Sequence, residues 1–292
     1  MSKLSNCPNF FIVGAARSAT STSHFTLNKH PQIFMSPDKE PNYFCDWEDR
    51  YSSWSDYMEL FKRVQGQKVV GESSTLYLYA KEAPYNIKSK IKEPKILVQL
   101  RDPVERAISQ YKRHKRSGIA ESSFKVALKK EEENELIGQH PSYHYIEMGL
   151  YYEQVKRYHE LFGRDRVKVV IFEDFISSPL KTLKEVCRFL EVDPSLLPSN
   201  IKRHNPGTET IFPFINEFLT GDSTMKEFLK FLLPLDLRRL WARKLRDNWN
   251  VSSSDIKVDF TEEEKNELRK KFVGDVKKVE RLLGLDLSSW LP

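Results

Sequence analysis

The sequence predicts an α/β fold: a central, mostly parallel sheet flanked by helices on both faces. Three observations predict it. Short runs of β-branched and aromatic residues alternate with segments of helical period along the chain. Each run ends in a cluster of polar or charged residues, as strands of a doubly covered sheet do at their carboxyl ends. The first run feeds a tight loop of small and hydroxyl residues that opens a helix, in IVGAARSATSTSHFTLNKHP, residues 12 to 31.

Phe10 to Val13 is the first strand, and Gly14, Ala15 and Ala16 lead out of it. A strand feeding a helix start aims free backbone N–H groups and the positive end of the helix dipole at one point, which suits a phosphate or sulfate. Thr20, Ser21 and Thr22 add hydroxyl donors, and Arg17 adds a planar, fixed positive charge. The nucleotide-binding P-loop, GxxxxGK followed by Ser or Thr, is matched at its ends by Gly14 and Ser21. Its middle is not matched: Ala19 stands at the second Gly and Thr20 at the Lys, which weakens an NTPase reading. The loop is P-loop-like, with its cation moved upstream to Arg17.

Residues 32 to 36, followed by DKEPNYF, read as a surface loop carrying a carboxylate, because Pro41 holds Glu40 extended or in a turn. Residues 47 to 64 read as a helix with Tyr51, Trp54, Tyr57 and Phe61 on one broad side. Lys68 to Gly71 is a short strand delivering Glu72, Ser73, Ser74 and Thr75, and Ile96 to Leu100 is a buried strand with Arg101 and Asp102 at its exit. Pro103 opens a helix that runs to Arg116 and carries Ser109 near its second turn. Residues 129 to 135, KKEEENE, read as a solvated run. Gly149 to Phe162 is amphipathic, Val167 to Phe172 is a fourth buried strand, and a helix follows over residues 180 to 190. Near the end, Thr261 with Glu264 three residues on predicts a capped terminal helix that docks by its Leu, Phe and Val residues.

Length and composition frame this reading. A chain of 292 residues with 39% hydrophobic content can bury one sizeable core, and no Gly/Ser/Pro-rich linker divides it, so residues 1 to 292 read as one domain with a helical C-terminal elaboration. The net charge of +6 and pI near 9.0 favour anionic ligands, without the basic, aromatic-studded face of a nucleic-acid binder. Three widely spaced cysteines, with no CxxC pair, imply a reduced cytoplasmic setting and no zinc site. No run of about 18 apolar residues exists, the length a membrane-spanning helix needs. The N-terminal hydrophobic run is the first strand, so a signal peptide is not expected.

Together these segments resemble the PAPS-dependent sulfotransferases, most closely the bacterial and heparan-sulfate-type branch. Residues 12 to 44 resemble that family's 5′-phosphosulfate loop, LRDPVERAISQY its 3′-phosphate motif, GLYYEQVKRYHELF and VVIFEDF its later helix and strand, and KRHNPG its closing loop. The resemblance implies the P-loop-like sulfotransferase fold and sulfuryl transfer from 3′-phosphoadenosine 5′-phosphosulfate (PAPS), leaving 3′-phosphoadenosine 5′-phosphate (PAP), without a metal. The acceptor is then a hydroxyl or amine of a small molecule or carbohydrate. On this basis Arg17, Ser18, Ala19, Thr20, Ser21 and Thr22 hold the 5′ side, and Arg101 with Ser109 holds the 3′-phosphate. Tyr151 is a candidate for stacking near adenine, and Arg203 for the closing loop.

In-line transfer needs a base facing the sulfate. Glu40 matches the base of the heparan-type enzymes, with a raised pKa expected in a partly dry cleft; the alternative is a loop carboxylate paired with Lys39. His24 and His114 are rival bases, since the small-molecule branch uses a His. Two departures stand out: Arg17 replaces the family's usual Lys, and Ala19 its usual loop Gly. Ser73 follows Glu72 where heparan-type enzymes show Glu-Lys, so Glu72 reads as orienting the loop or the acceptor. Residues 207 to 250 mix large apolar residues with Arg and Lys, and read as lid or packing helices ahead of a dimer surface or an interfacial membrane helix. A small-molecule kinase on the P-loop pattern and a non-catalytic nucleotide-binding module are the remaining alternatives.

Overall fold

The structure is a computed structural model that describes residues 6–47, 50–201, 209–210, 250–251 and 260–292. Its frame is a five-stranded, wholly parallel sheet in the order β2-β3-β1-β4-β5. The strands are β1 (Phe10–Gly14), β2 (Ile33–Met35), β3 (Val69–Ser73), β4 (Lys95–Leu100) and β5 (Val167–Ile171). Residues 209–210 and 250–251 form a separate antiparallel pair, β6 and β7. Expected strands one, two, three and four are thus β1, β3, β4 and β5. The segment at residues 32 to 36, read as surface loop, contributes β2 at the sheet edge.

Side-chain alternation on β1 explains the layering. Phe11 and Val13 face one core with Ile96, Val98 and Leu100, while Phe10 and Ile12 face a second with Leu97 and Val170. All four β1 residues are fully buried, as a central parallel strand requires. Over the first face lie α3 (Ala83–Lys90), α4 (Pro103–Arg116), α6 (Tyr151–Phe162) and the C-terminal helix α9 (Glu262–Leu283); over the second lie α1 (Thr20–Leu27), α7 (Phe172–Ser177) and α8 (Pro179–Phe189). The remaining α-helices among the described residues are α2 (Trp54–Met58) and α5 (Phe124–Glu132). α2 continues as a 3-10 turn over Glu59–Phe61, so the long helix expected over 47 to 64 is shorter and begins at the Ser53 cap, whose hydroxyl accepts from Asp56 N.

β1 sits between β3 and β4, and the chain leaves it toward opposite sides of the sheet. That reversal opens a crevice at the carboxyl ends of β1 and β4, where α/β sheets take ligands. Gly14 makes the exit from β1 possible. At φ +152° it lies so close to the loop after β3 that a Cβ would stand 2.7 Å from Leu78 Cβ and 3.1 Å from the Thr75 carbonyl oxygen.

Candidate active site

The loop from Ala15 to Ala19 is where the sequence predicts an anion cradle. Arg17 and Ala19 both hold positive φ, 71° and 61°, and Ala19 is the N-cap of α1. This turn leaves the backbone N–H groups of Ser18, Ala19 and Thr20 without a hydrogen bond among the described residues. Ser18 is fully buried and its hydroxyl has no partner. An unsatisfied buried hydroxyl beside open helix-start N–H groups is costly unless a ligand completes it. Thr20 and Thr22 are buried at the same helix start.

The second loop arrives from β4. Asp102 caps α4 through Val104 N at 2.8 Å and Glu105 N at 3.3 Å, fixing the helix that carries Ser109. Arg17 Nε donates to Ser109 Oγ at 3.1 Å, and Arg101 Nη1 donates to the Arg17 carbonyl oxygen at 3.1 Å. Residues 92 and 84 positions apart in sequence are therefore joined in one place. Arg101 lies with its guanidinium carbon 4.4 Å from the Phe172 ring centroid, and its Nε is buried without a partner. A planar guanidinium clamped in this way keeps donors free for a bidentate anion.

Positive charge gathers at this crevice. Burial above all, together with the neighbouring Arg113, Arg116 and Arg101, lowers the Arg17 pKa to about 10, while Glu40 acts in the opposite direction. Several guanidiniums converging on one crevice repel one another, and an anion placed among them relieves that repulsion. Arg113 was not anticipated from sequence: it lies one turn beyond Ser109 on α4, a helical spacing that carries the signal in retrospect.

Glu40 stands at φ 59° in the loop after β2, its N–H donating to the Ser73 carbonyl oxygen at 2.8 Å. Arg50 Nη1 holds its carbonyl oxygen at 3.0 Å, and Lys39 Nζ donates to its carboxylate at 2.5 Å. The expected raised pKa is corrected here. Burial pushes this carboxyl up, but the Lys39 charge and hydrogen bond, with Arg113 and the Thr75 hydroxyl, more than offset it and the pKa is lowered.

The histidines are placed differently from Glu40. His114 is buried, with Nδ1 2.6 Å from Tyr145 Oη and Nε2 2.8 Å from Gln110 Nε2. Both ring nitrogens are thus engaged. Burial, with Arg113 and other nearby positive groups, lowers its pKa to about 4. His114 is thus a buried, neutral imidazole on the inner side of α4, with Tyr145 and Gln110 at its two nitrogens. His24 is likewise buried, with Nδ1 2.9 Å from Ser73 Oγ. Tyr151 is fully buried and donates its hydroxyl to the Arg101 carbonyl oxygen at 3.0 Å, which supports that loop. Arg203, and most of the 207 to 250 stretch read as a lid, lie outside the described residues. Among the described residues no group of three or more His, Cys, Asp or Glu side chains could hold a metal ion.

Known proteins match this architecture. Residues 8–206 match the model of the sulfotransferase domain. A solved sulfotransferase from Alicyclobacillus acidocaldarius superposes with a TM-score of 0.74 at 30% identity, covering 97% of this chain and 98% of that one. Membrane-associated sulfotransferase kil1 of Dictyostelium discoideum is 23% identical across 78% of this chain and 66% of its own length. Human heparan sulfate glucosamine 3-O-sulfotransferase 3B1 is 29% identical across 63% of this chain, which spans only 46% of that protein. With the Arg17 and Arg101 loops joined at the crevice of a parallel sheet, and a family match running from β1 past β5, the chain belongs to the sulfotransferase domain family.

Proposed function

We propose that the protein transfers a sulfuryl group from PAPS to a hydroxyl or amine of a carbohydrate or small-molecule acceptor. The observation that carries this is the junction of the two anion loops, in which Arg17 bonds Ser109 and Arg101 bonds the Arg17 carbonyl. A ligand with one anion at each end of an adenosine fits two such loops better than a nucleoside triphosphate, whose anions lie in one chain. The unpartnered Ser18 hydroxyl and the open N–H groups of residues 18 to 20 fit the 5′ end, and Arg101 with Ser109 fits the 3′-phosphate. The likeness of this chain to enzymes named for heparan sulfate supports a carbohydrate acceptor.

The bound donor supplies an activated sulfuryl group whose leaving half is a stable bisphosphate. Arg17 stabilises negative charge growing on the bridging and sulfuryl oxygens, and as a guanidinium it does so without giving up a proton. Ser18 and the adjoining N–H groups orient the same oxygens. Glu40, held ionised by Lys39, takes the proton from the acceptor hydroxyl or amine as that atom attacks sulfur. Its charge acts directly on Arg17, which supports a place facing the 5′ end of the site. Cys7, Cys45 and Cys187 take part in no disulfide, which supports a reducing compartment, and no helix among the described residues is long and apolar enough to cross a membrane.

The test is a transfer assay with labelled PAPS across sugar, phenol and amine acceptors. Glu40→Gln is expected to lower kcat by about 10²- to 10⁴-fold with PAP affinity retained. Transfer at the wild-type rate in that variant would remove Glu40 from the mechanism.

A further inference from the structure

Glu72, at the carboxyl end of β3, is fully buried, and among the described residues three hydroxyls and no cation bond its carboxylate. We propose that Glu72 is a positioning residue, which sets the place of Glu40 by anchoring two hydrogen-bond relays from the loop that carries it. In the first relay, Asn42 N donates to Ser74 Oγ at 3.1 Å and the Ser74 hydroxyl donates to Glu72 Oε2 at 2.7 Å. In the second, Phe44 N donates to Tyr77 Oη at 3.2 Å and the Tyr77 hydroxyl donates to Glu72 Oε1 at 2.9 Å. Tyr57, from α2, donates to the same Oε1 at 3.0 Å, and its ring stacks on Tyr43 of the loop with centroids 4.6 Å apart.

The direction of these relays is fixed by the chemistry of the groups. A hydroxyl has one proton, and once that proton points at Glu72 its lone pairs face the loop N–H. An ionised carboxylate accepts only, so it can serve three hydroxyl donors together. Any change that puts a proton on the carboxyl, or an amide NH2 in its place, sets a donor against a donor and releases one arm of the loop. Asn42 and Phe44 lie two and four residues beyond Glu40, so slack in either arm moves Glu40 relative to Arg17.

Stability alone does not account for a carboxylate at this position. A buried, ionised carboxyl without a bonded cation costs more than an apolar side chain of similar size. The groups facing it are Tyr57 from α2, Tyr77 and Ser74 from the loop after β3, Tyr158 from α6, and Glu40 across the loop, with Cys7 beyond Tyr57. Burial, helped by the Glu40 charge, outweighs the three hydroxyl hydrogen bonds and leaves the Glu72 pKa raised to about 7. The relays are therefore complete above neutral pH and lose an acceptor below it.

The kinetic consequence rests on the sulfuryl-transfer reading, whereas the network stands without it, and two measurements on the full chain separate them. In nuclear magnetic resonance, the Asn42 and Phe44 amide signals are expected to titrate together between about pH 6 and pH 8 in the wild type and in Glu40→Gln, and to stay fixed in Glu72→Gln. In the transfer assay, Glu72→Gln is expected to lower kcat by about 10²-fold at unchanged PAP affinity and to lose the acid limb near neutral pH. Tyr77→Phe removes one relay and adds no donor, and a smaller loss in the same direction is expected should Glu72→Gln fail to fold. Amides that ignore pH in the wild type, or a Glu72→Gln enzyme with wild-type kcat and an unchanged acid limb, would overturn the proposal. Loss of PAP affinity in step with kcat would also overturn it, by showing general disruption. Titrating amides in a protein without sulfuryl transfer would uphold the relays and sink the functional reading instead.

Discussion

Ala19 shows how a single residue can be read from sequence yet incompletely. Its place at the family's usual loop Gly is visible in the chain, and so is the demand for a backbone that tolerates a Cβ. The structure answers with φ 61°, a left-handed conformation that costs a non-glycine residue about 1–2 kcal/mol. Ala19→Gly removes that strain but adds backbone freedom to the unfolded chain, so a net gain of roughly 0.5 kcal/mol is expected in urea denaturation. The sequence offered Glu40 as a candidate base or, alternatively, as a loop carboxylate paired with Lys39, and the Lys39 bond is present. The direction of the Glu40 pKa was not legible, because it depends on how the Lys39 ammonium, Arg113 and Thr75 meet the carboxyl in space. The surroundings of His114 and Tyr151 were hidden for a related reason. Periodicity placed both on helices but did not show that their polar atoms were already committed to Tyr145, Gln110 and the Arg101 carbonyl.

Among the elements, those with strong local signals were the ones read correctly. The capping box at Thr261 and Glu264 is present in both directions, with Glu264 N donating to Thr261 Oγ1 at 3.1 Å and Thr261 N donating to Glu264 Oε2 at 2.9 Å. α9 packs Leu268, Phe272, Val276 and Val279 into the core, a helical stripe that the sequence displays openly. Thr261→Ala is expected to cost about 1 kcal/mol, seen as a lower denaturation midpoint at an unchanged slope. Short elements were missed. β2 is three residues long and earns its place by pairing with β3, a tertiary fact with no local signature. α5 begins at the Ser123 cap, and the charge-rich run after residue 129 hid it because its apolar contribution is small. The lid expected over 207 to 250 cannot be compared, since nearly all of it lies outside the described residues.

At the scale of the whole molecule, the convergence of the polar clusters was legible from one rule, that parallel strands deliver their loops to a common edge. The strand order, with β1 between β3 and β4, places the Arg17 and Arg101 loops side by side there. Titration also acts at this scale, because two buried groups lean in opposite directions. Glu72 binds its proton more tightly in the folded chain, with its pKa moved from 4.5 to about 7, so this group makes the fold less stable as pH rises through that window. His114 has its pKa moved from 6.5 to about 4, so it makes the fold less stable as pH falls through that window. The melting temperature of Glu72→Gln is therefore expected to climb more steeply between pH 4.5 and 7 than that of the wild type, and parallel curves would contradict the assignment. The central claim is that one crevice grips both ends of an adenosine bisphosphate, and calorimetry addresses it most directly. PAP is expected to bind about 10- to 100-fold more tightly than AMP, and Arg101→Ala to erase that preference; AMP or ATP binding as tightly as PAP to the wild type would contradict the account.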